Sequence, residues 1–419
     1  MSDDDLLREQ LAHLETSSPF YAQRLRGADV RGVADLPRLE FTTKDELREG
    51  QQREPPLGVH LCAPPERLVR IHVTSGTTGD PVAVGFTQRD HEANSAIGGE
   101  AFAIAGLRPD DVVAHCLNYA LYAGGIADHM ALEASGATVV PIGTGQSRRL
   151  LDLIPKLGIT AIFGTLSFPA HLAARAREEG IDPAGLGIRH IVTAGEPGAG
   201  LAAVRGEIEA AWGATVLDTF GMSDVWSTMG GACGESDGLH LTVAGHAVFE
   251  LVDPDSGEPQ PLEDGASGEF VWTHLRREAS PLLRYRSGDL GRVWTSRCAC
   301  GRDSLRIRID GRRDDMLRVQ AVNVYPQAIS SLVAARHVIV ATGDPIAPPI
   351  EVYVEAADDA ELDGLENRLH DTLRARFRVI RLEPGSLPVA EHKTRIVHRT
   401  VRGDELPPAV QAARRRSPT

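Results

Sequence analysis

HVTSGTTGDPVAVGF, residues 72–86, is the stretch on which the fold turns. Its first ten positions hold two glycines, three threonines and one serine, a composition that can bring backbone N–H groups and hydroxyls to a phosphate. A Walker-type loop runs from a strand through the glycine-rich turn to a lysine and a helix. Here Pro81 follows, then VAVGF alternates as a strand, and Val82 stands near where a loop lysine would lie. Strand–loop–strand excludes the Walker class but leaves the phosphate chemistry of the loop intact. On the loop alone, a phosphate cradle and a plain surface hairpin fit equally well.

Outward from this loop, apolar residues at helical spacing (Leu6, Leu7, Leu11, Leu14) predict a helical lead-in over residues 4–26, and FTTKDELRE at 41–49 reads as a Thr-capped helix start. From about 68 to 220, short β-like runs (VRIHV, AVGF, DVVAHCL, ATVVPI, AIFG, RHIVTA, ATVLDTF) alternate with Ala/Leu-rich helical stretches, which predicts a largely parallel α/β sheet. From 247 to 309 the runs are separated by Gly, Asp and Pro turns, the pattern of an antiparallel, barrel-like portion. Gly311 to Asp315 reads as a joint, dividing a large N-terminal α/β domain, 1–312, from a small mobile α+β C-terminal domain, 313–419. The tail QAARRRSPT is expected to be disordered.

Length and composition permit a full core: 419 residues, 42% hydrophobic. The formal charge of −14, from 58 acidic against 44 basic residues, gives no support to nucleic-acid or anionic-membrane binding. Any anionic substrate must be met by local donors. MSDDDLLREQ lacks the basic and apolar regions of a signal peptide, and no apolar run approaches a membrane span, so a cytoplasmic location with reduced cysteines is expected. Only Lys44, Lys156 and Lys393 break an otherwise all-arginine basic set. A chain so biased has replaced most lysines whose only task is surface charge, and the one kept in EHKTRIV, Lys393, suggests a place where a compact ammonium is needed.

Five cysteines occur, at 62, 116, 233, 298 and 300. Cys233-x6-His240 together with Cys298-x-Cys300-Gly supplies a Cys₃His set, a common structural zinc combination with no position left for water.

Nine collinear segments carry a resemblance that covers nearly the whole chain. They are SPFYAQRL (18–25), FTTKDEL (41–47), VTSGTTGDPVAVGFT (73–87), TAGEP (193–197), DTFGMSDV (218–225), CGESDGLHL (233–241), PLLRYRSGDLGRV (281–293), CACGRDSLRIRIDGRRDDMLRVQAVNVYP (298–326) and KTRIVHR (393–399). In these the chain resembles the AMP-forming adenylating superfamily, and more narrowly its phenylacetate–CoA ligase branch.

The resemblance implies ATP-dependent activation of an aromatic carboxylic acid as its acyl-adenylate, followed by transfer to CoA. It puts ATP on Thr74, Ser75, Gly76, Thr77, Thr78 and Gly79, on Gly195, Glu196 and Pro197, and on Asp218, Phe220, Gly221, Met222 and Ser223. Phe220 would lie beside adenine, and Asp224 would take Mg²⁺, one methylene shorter than the Glu the motif usually carries. Asp289 matches the carboxylate that accepts both ribose hydroxyls, Arg312 an arginine near the same ribose, and Asp314 the hinge position. Lys393 matches a catalytic lysine on the final loop of the small domain, which reaches the substrate carboxylate and α-phosphate. The acid pocket would involve Tyr119, Tyr122, Gly124 and Ala194, with His115, Cys116 or Asn118 adding polar contacts to a ring substituent. Cys and His positions like the four above recur in part of the branch.

Three departures bear on the acceptor and the acid. QAVNVYP has Ala321 where the branch commonly has glycine lining the pantetheine tunnel; the pocket segment is HCLNYALYAGG (115–125) rather than a tyrosine-rich run; and the small domain is short between VNVYP and EVYVEA. A carrier-protein thiol, an amine, or nitrite-dependent diazotisation of an aryl amine therefore stays open beside CoA. So do a homodimer and a degenerate homologue that binds nucleotide without turnover.

Overall fold

The computed structural model describes residues 1–74, 81–196, 202–319, 322–333, 335–343, 345–388, 396–400 and 405–416. The chain divides into two compact units: Met1–Gly195 with Ile208–Ile309, and Glu196–Glu207 with Asp310–Thr419.

The lead-in is helical: α1 (Asp3–Ser17), α2 (Pro19–Leu25) and α3 (Lys44–Arg53). Ser18 followed by Pro19 separates the first two, since Ser18 accepts from Tyr21 N as an N-cap and proline sits in the first turn. Thr43 and Glu46 form a reciprocal capping box at α3, satisfying two of the donors a helix start leaves orphaned. Next comes an antiparallel hairpin, β1 (Leu68–Val73) and β2 (Ala83–Thr87), paired from Val73↔Ala83 to Leu68↔Thr87 as a sheet of its own. VRIHV and AVGF therefore do not join the parallel sheet. The nine residues between them are too few for the crossover that parallel pairing needs.

The segments α4 (Gln88–Ile104), β3 (Val112–His115), α5 (Ile126–Ala134), β4 (Thr138–Pro141), α6 (Ser147–Leu157), β5 (Ala161–Gly164), α7 (Ser167–Glu178), β6 (His190–Thr193), α8 (Ala202–Trp212) and β7 (Thr215–Phe220) alternate as the sequence suggests. β4, β3, β5, β6 and β7 are parallel neighbours in that order. Ala161, Ile162 and Phe163 are fully buried, as strands covered on both faces must be. The antiparallel strands β8 (Gly230–Ala232), β9 (Leu239–Leu241), β10 (Ala247–Val252), β11 (Pro259–Gln260), β12 (Ser267–His274), β13 (Tyr285–Trp294) and β14 (Arg306–Arg312) continue from β7. All twelve share one sheet, ordered β11-β10-β12-β13-β14-β9-β8-β7-β6-β5-β3-β4. Its antiparallel half packs a core of Trp226, Phe249, Phe270, Trp272 and Tyr285.

The chain leaves β3 for β4 on one side and returns to β5 on the other. In open parallel sheets, ligands sit in the crevice beyond the carboxyl ends of strands at such a reversal. His115–Tyr119, Ala194–Gly195 and Phe220–Asp224 all follow carboxyl ends of these strands.

The smaller unit contains β15 (Leu317–Val319), β16 (Val322–Val324), α9 (Pro326–Ser330), β17 (His337–Ala341), β18 (Ile350–Glu355), α10 (Leu365–Leu373), β19 (Phe377–Leu382), β20 (Val397–Arg399) and α11 (Pro408–Arg416). Four strands form a sheet in the order β19-β18-β17-β20. The tail is not disordered through residue 416. Val410 is fully buried with Val338, Val340 and Tyr353, Ala413 packs beside them, and Arg414 pairs with Glu351, so an apolar stripe holds the helix down. No described helix is long and apolar enough to cross a membrane.

Candidate functional site

The hairpin β1–β2 is closed where the opening motif begins. Thr74 N donates to Val82 O at 2.9 Å, and Val82 N donates to Thr74 Oγ1 at 3.0 Å. Ser75, Gly76, Thr77, Thr78 and Gly79 lie outside the described residues, as do Pro197, Ala321 and Lys393.

On β7, the Asp218 carboxylate accepts from Thr193 Oγ1 at 3.1 Å and from Thr219 N at 3.0 Å. Burial nevertheless pushes its pKa up to about 7. Beside it, Gly195 adopts φ +78°, a conformation that favours glycine. Beyond β7 the chain folds back tightly, with Met222 N on Trp226 O at 2.8 Å and Met229 N on Phe220 O at 2.8 Å. Gly221 is obligatory there, because a Cβ would lie 1.8 Å from Ser227 O. The turn is fastened to α4 by Asn94, which accepts from Ser227 N at 2.9 Å and donates to Ser227 Oγ at 2.8 Å.

This turn buries Asp224 to 6% exposure. Lys44 Nζ approaches Asp224 Oδ2 at 3.3 Å, while Asp224 Oδ1 is buried and has no hydrogen-bond partner among the described residues. A carboxylate oxygen so placed fits a hard divalent cation such as Mg²⁺. Lys44, the first residue of the capped helix α3, was absent from the sequence-based site. Its rarity as one of three lysines was the signal that could have found it.

Asp289 lies on β13, 5% exposed, and its N–H donates to Ser287 Oγ at 3.1 Å. In the smaller unit, Arg312 grips Asp314 through Nε and Nη2 at 2.9 and 3.1 Å. The residues read as a ribose contact and as a hinge are thus bidentate partners.

A cavity of about 510 Å³ opens beyond β3 and β4, lined by Asn118, Tyr119, Ile142, Thr144, Gln146 and Arg149 among others. Tyr122, at 40% exposure, is not in its wall, nor are Gly124 and Ala194. Tyr119 Oη lies 2.9 Å from His129 Nδ1, and His129 Nε2 lies 3.2 Å from Glu133 Oε1, four residues along α5. Burial raises the Tyr119 pKa, so its hydroxyl keeps the proton. His115, fully buried beneath the Tyr119 ring, is pushed down to about 4 and is neutral near pH 7.

Cys233, His240, Cys298 and Cys300 come together with ligand atoms all within 4.8 Å of one another. Cys233 Sγ is 3.6 Å from Cys298 Sγ, and Cys300 Sγ is 3.4 Å from His240 Nε2. Thiolates held tetrahedrally about 2.3 Å from one zinc would sit about 3.8 Å apart, so the set fits that ion. His240 Nδ1 meets Ser304 Oγ at 2.7 Å, the outer partner that fixes a ligating imidazole and leaves Nε2 for metal.

The family model "AMP-binding enzyme" matches residues 12–274. The chain belongs to the AMP-binding enzyme family. Within it the chain is phenylacetate–CoA ligase-like: it is 32% identical to the phenylacetate-coenzyme A ligase of Thermus thermophilus, across 93% of each chain. The Escherichia coli K12 enzyme of the same description is 35% identical, across 77% of this chain and 73% of that one. Among solved structures, a 2-hydroxyisobutyryl-CoA ligase in the postadenylation state, bound to R3-HIB-AMP, superposes with a TM-score of 0.87 at 28% identity, covering 98% of this chain and 91% of the other.

Proposed function

We propose that this AMP-binding enzyme is an acid–CoA ligase that converts an aromatic carboxylic acid and ATP to an acyl-adenylate and pyrophosphate, then passes the acyl group to CoA. The observation that carries the reading is similarity across 93% of both chains to a phenylacetate-coenzyme A ligase, smaller unit included. Asp218 and the Asp224 turn, held at the carboxyl ends of β6 and β7, support it.

In this reading residues 74–79 receive the phosphates through backbone N–H groups and hydroxyls. Gly195, Glu196, Pro197, Asp218 and Phe220–Ser223 border the nucleotide, and Asp289 and Arg312 take the ribose. Asp224 would hold Mg²⁺, which when bound neutralises phosphate charge as the acid carboxylate attacks the α-phosphorus and pyrophosphate leaves in line. Lys393 bridges the carboxylate and α-phosphate, a point charge suited to both oxygen sets. The small domain, 313–419, then rotates about Asp314 to bring the acceptor route to the same cleft. Cys233, His240, Cys298 and Cys300 would hold a structural Zn²⁺ that ties the β8–β9 connection to the segment after β13.

Tyr119 in the cavity wall supports an aromatic acid. A short hydroxy acid is the second reading, favoured by the likeness to 2-hydroxyisobutyryl-CoA ligase. Acid-dependent ATP–pyrophosphate exchange, with mass spectrometry of the adenylates formed from a mixed library holding both acid types, separates them. Adenylates of aromatic acids are expected. Exchange only with short hydroxy acids favours the second reading, and none with any acid defeats both.

A further inference from the structure

Arg277, in the loop between β12 and β13, has no exposed surface. Its guanidinium lies over the Phe86 ring at 3.9 Å and the Trp226 ring at 4.6 Å. Nη2 donates to Gly85 O on β2 at 3.3 Å, and Nη1 donates to Val225 O, the residue after Asp224, at 3.2 Å. Asp90 supplies the counter-charge at 3.8 Å; its carboxylate also accepts from Thr87 N at the start of α4 and from Glu278 N and Ala279 N. Nε makes no hydrogen bond among the described residues.

Taking a guanidinium fully out of water is unfavourable unless its partners and geometry offset the desolvation. Here the two N–H arms go to two different segments: the strand that leaves residues 75–80, and the turn that carries Asp224. A second donor meets the same turn. His274 Nδ1 accepts from Leu282 N at 2.9 Å, so His274 Nε2 carries the proton and donates to Val225 O at 3.3 Å. The peptide next to Asp224 is therefore pinned from two sides, and only Arg277 also reaches β2.

Resting on the adenylating reading above, we infer that Arg277 is a positioning residue that fixes the spacing between the β2 hairpin and Asp224, and so the geometry in which Mg²⁺ and the nucleotide phosphates are received. It acts through two carbonyls and two rings, and touches no substrate. A lysine has the charge but not the planar fork, and can serve one carbonyl at a time.

The test uses R277K and R277M in the full chain. Binding of Mg²⁺ with a non-hydrolysable ATP analogue is followed by calorimetry, alongside the Mg²⁺, ATP and acid dependence of pyrophosphate exchange and the melting temperature. R277K is expected to weaken Mg²⁺–analogue binding and kcat/KM for ATP about tenfold or more, the scale of a small misplacement of reacting groups. The acid KM should stay within about twofold. R277M is expected to lose more; if it does not fold, R277K alone decides. R277K binding Mg²⁺ and analogue like the unmodified protein would overturn the inference. So would a uniform decline of ATP, acid and melting parameters, the mark of a purely structural arginine. Binding needs no turnover, so a chain that adenylates no acid would defeat the functional reading while leaving this arm intact.

Discussion

Replacing Cys298 by serine tests the metal cluster on both composition and stability. A metal joining Cys233 to Cys298 would close a loop of 65 residues. By the loop-closure relation used for disulfides, restraining such a loop in the unfolded chain is worth about 4 kcal/mol. The larger unit, Met1–Gly195 with Ile208–Ile309, has about 300 residues and an unfolding entropy near 0.6 kcal/mol/K, so losing the restraint should lower its Tm by about 7 °C. Inductively coupled plasma mass spectrometry should find about one zinc per unmodified chain, and calorimetry should show the C298S melt matching that of chelator-stripped protein. Purified protein with no zinc, or C298S melting with the unmodified protein, would refute the reasoning.

The Lys44–Asp224 pair, 3.3 Å apart, carries a gross attraction of about 5 kcal/mol at an effective dielectric of about 20. Lys44→Met removes the cation that pairs with Asp224 among the described residues, leaving the carboxylate to a bound metal, so half-saturation of adenylation by Mg²⁺ should fall severalfold; an unchanged or raised value counts against a metal at Asp224. Because burial holds the Asp218 carboxyl at about 7 against 3.8 when unfolded, the folded chain binds the extra proton between those values and loses stability as pH rises through them. Urea midpoints from pH 5 to 8 should therefore fall more steeply for the unmodified protein than for D218N, and parallel curves would contradict this. Lys393→Ala should abolish adenylate formation while ATP binding persists; adenylation at the normal rate would remove Lys393 from its role.

The βαβ alternation was legible because strands buried on both faces read as short apolar runs, and a period of two or of 3.6 survives in the sequence. The fate of VRIHV and AVGF was harder to read, since a strand's local composition does not name its partner. In the tail, three arginines concealed the stripe of Ala409, Val410 and Ala413 that holds α11 on its sheet. The Cys₃His set could be read because few residue types bind zinc. Lys44 was signalled only by its rarity and Arg277 not at all, as their partners lie 180 and 52 residues away in sequence. TAGEP and DTFGMSD run over the carboxyl ends of β6 and β7, where a parallel sheet opens its ligand crevice. Tyr122, three residues after Tyr119, lies outside the wall of the cavity that Tyr119 lines, and sequence spacing alone could not separate the two.

The most direct test of the acid–CoA ligase reading is the product balance of one reaction: zinc-loaded protein, ATP, MgCl₂, a mixed aromatic-acid library and CoA, resolved by liquid chromatography and mass spectrometry. The account predicts acid-dependent AMP and pyrophosphate matched by an aryl-CoA thioester. AMP and pyrophosphate without a thioester would assign the acyl group to another acceptor, whereas acid-dependent ADP, or no acid-dependent AMP at all, would contradict the account.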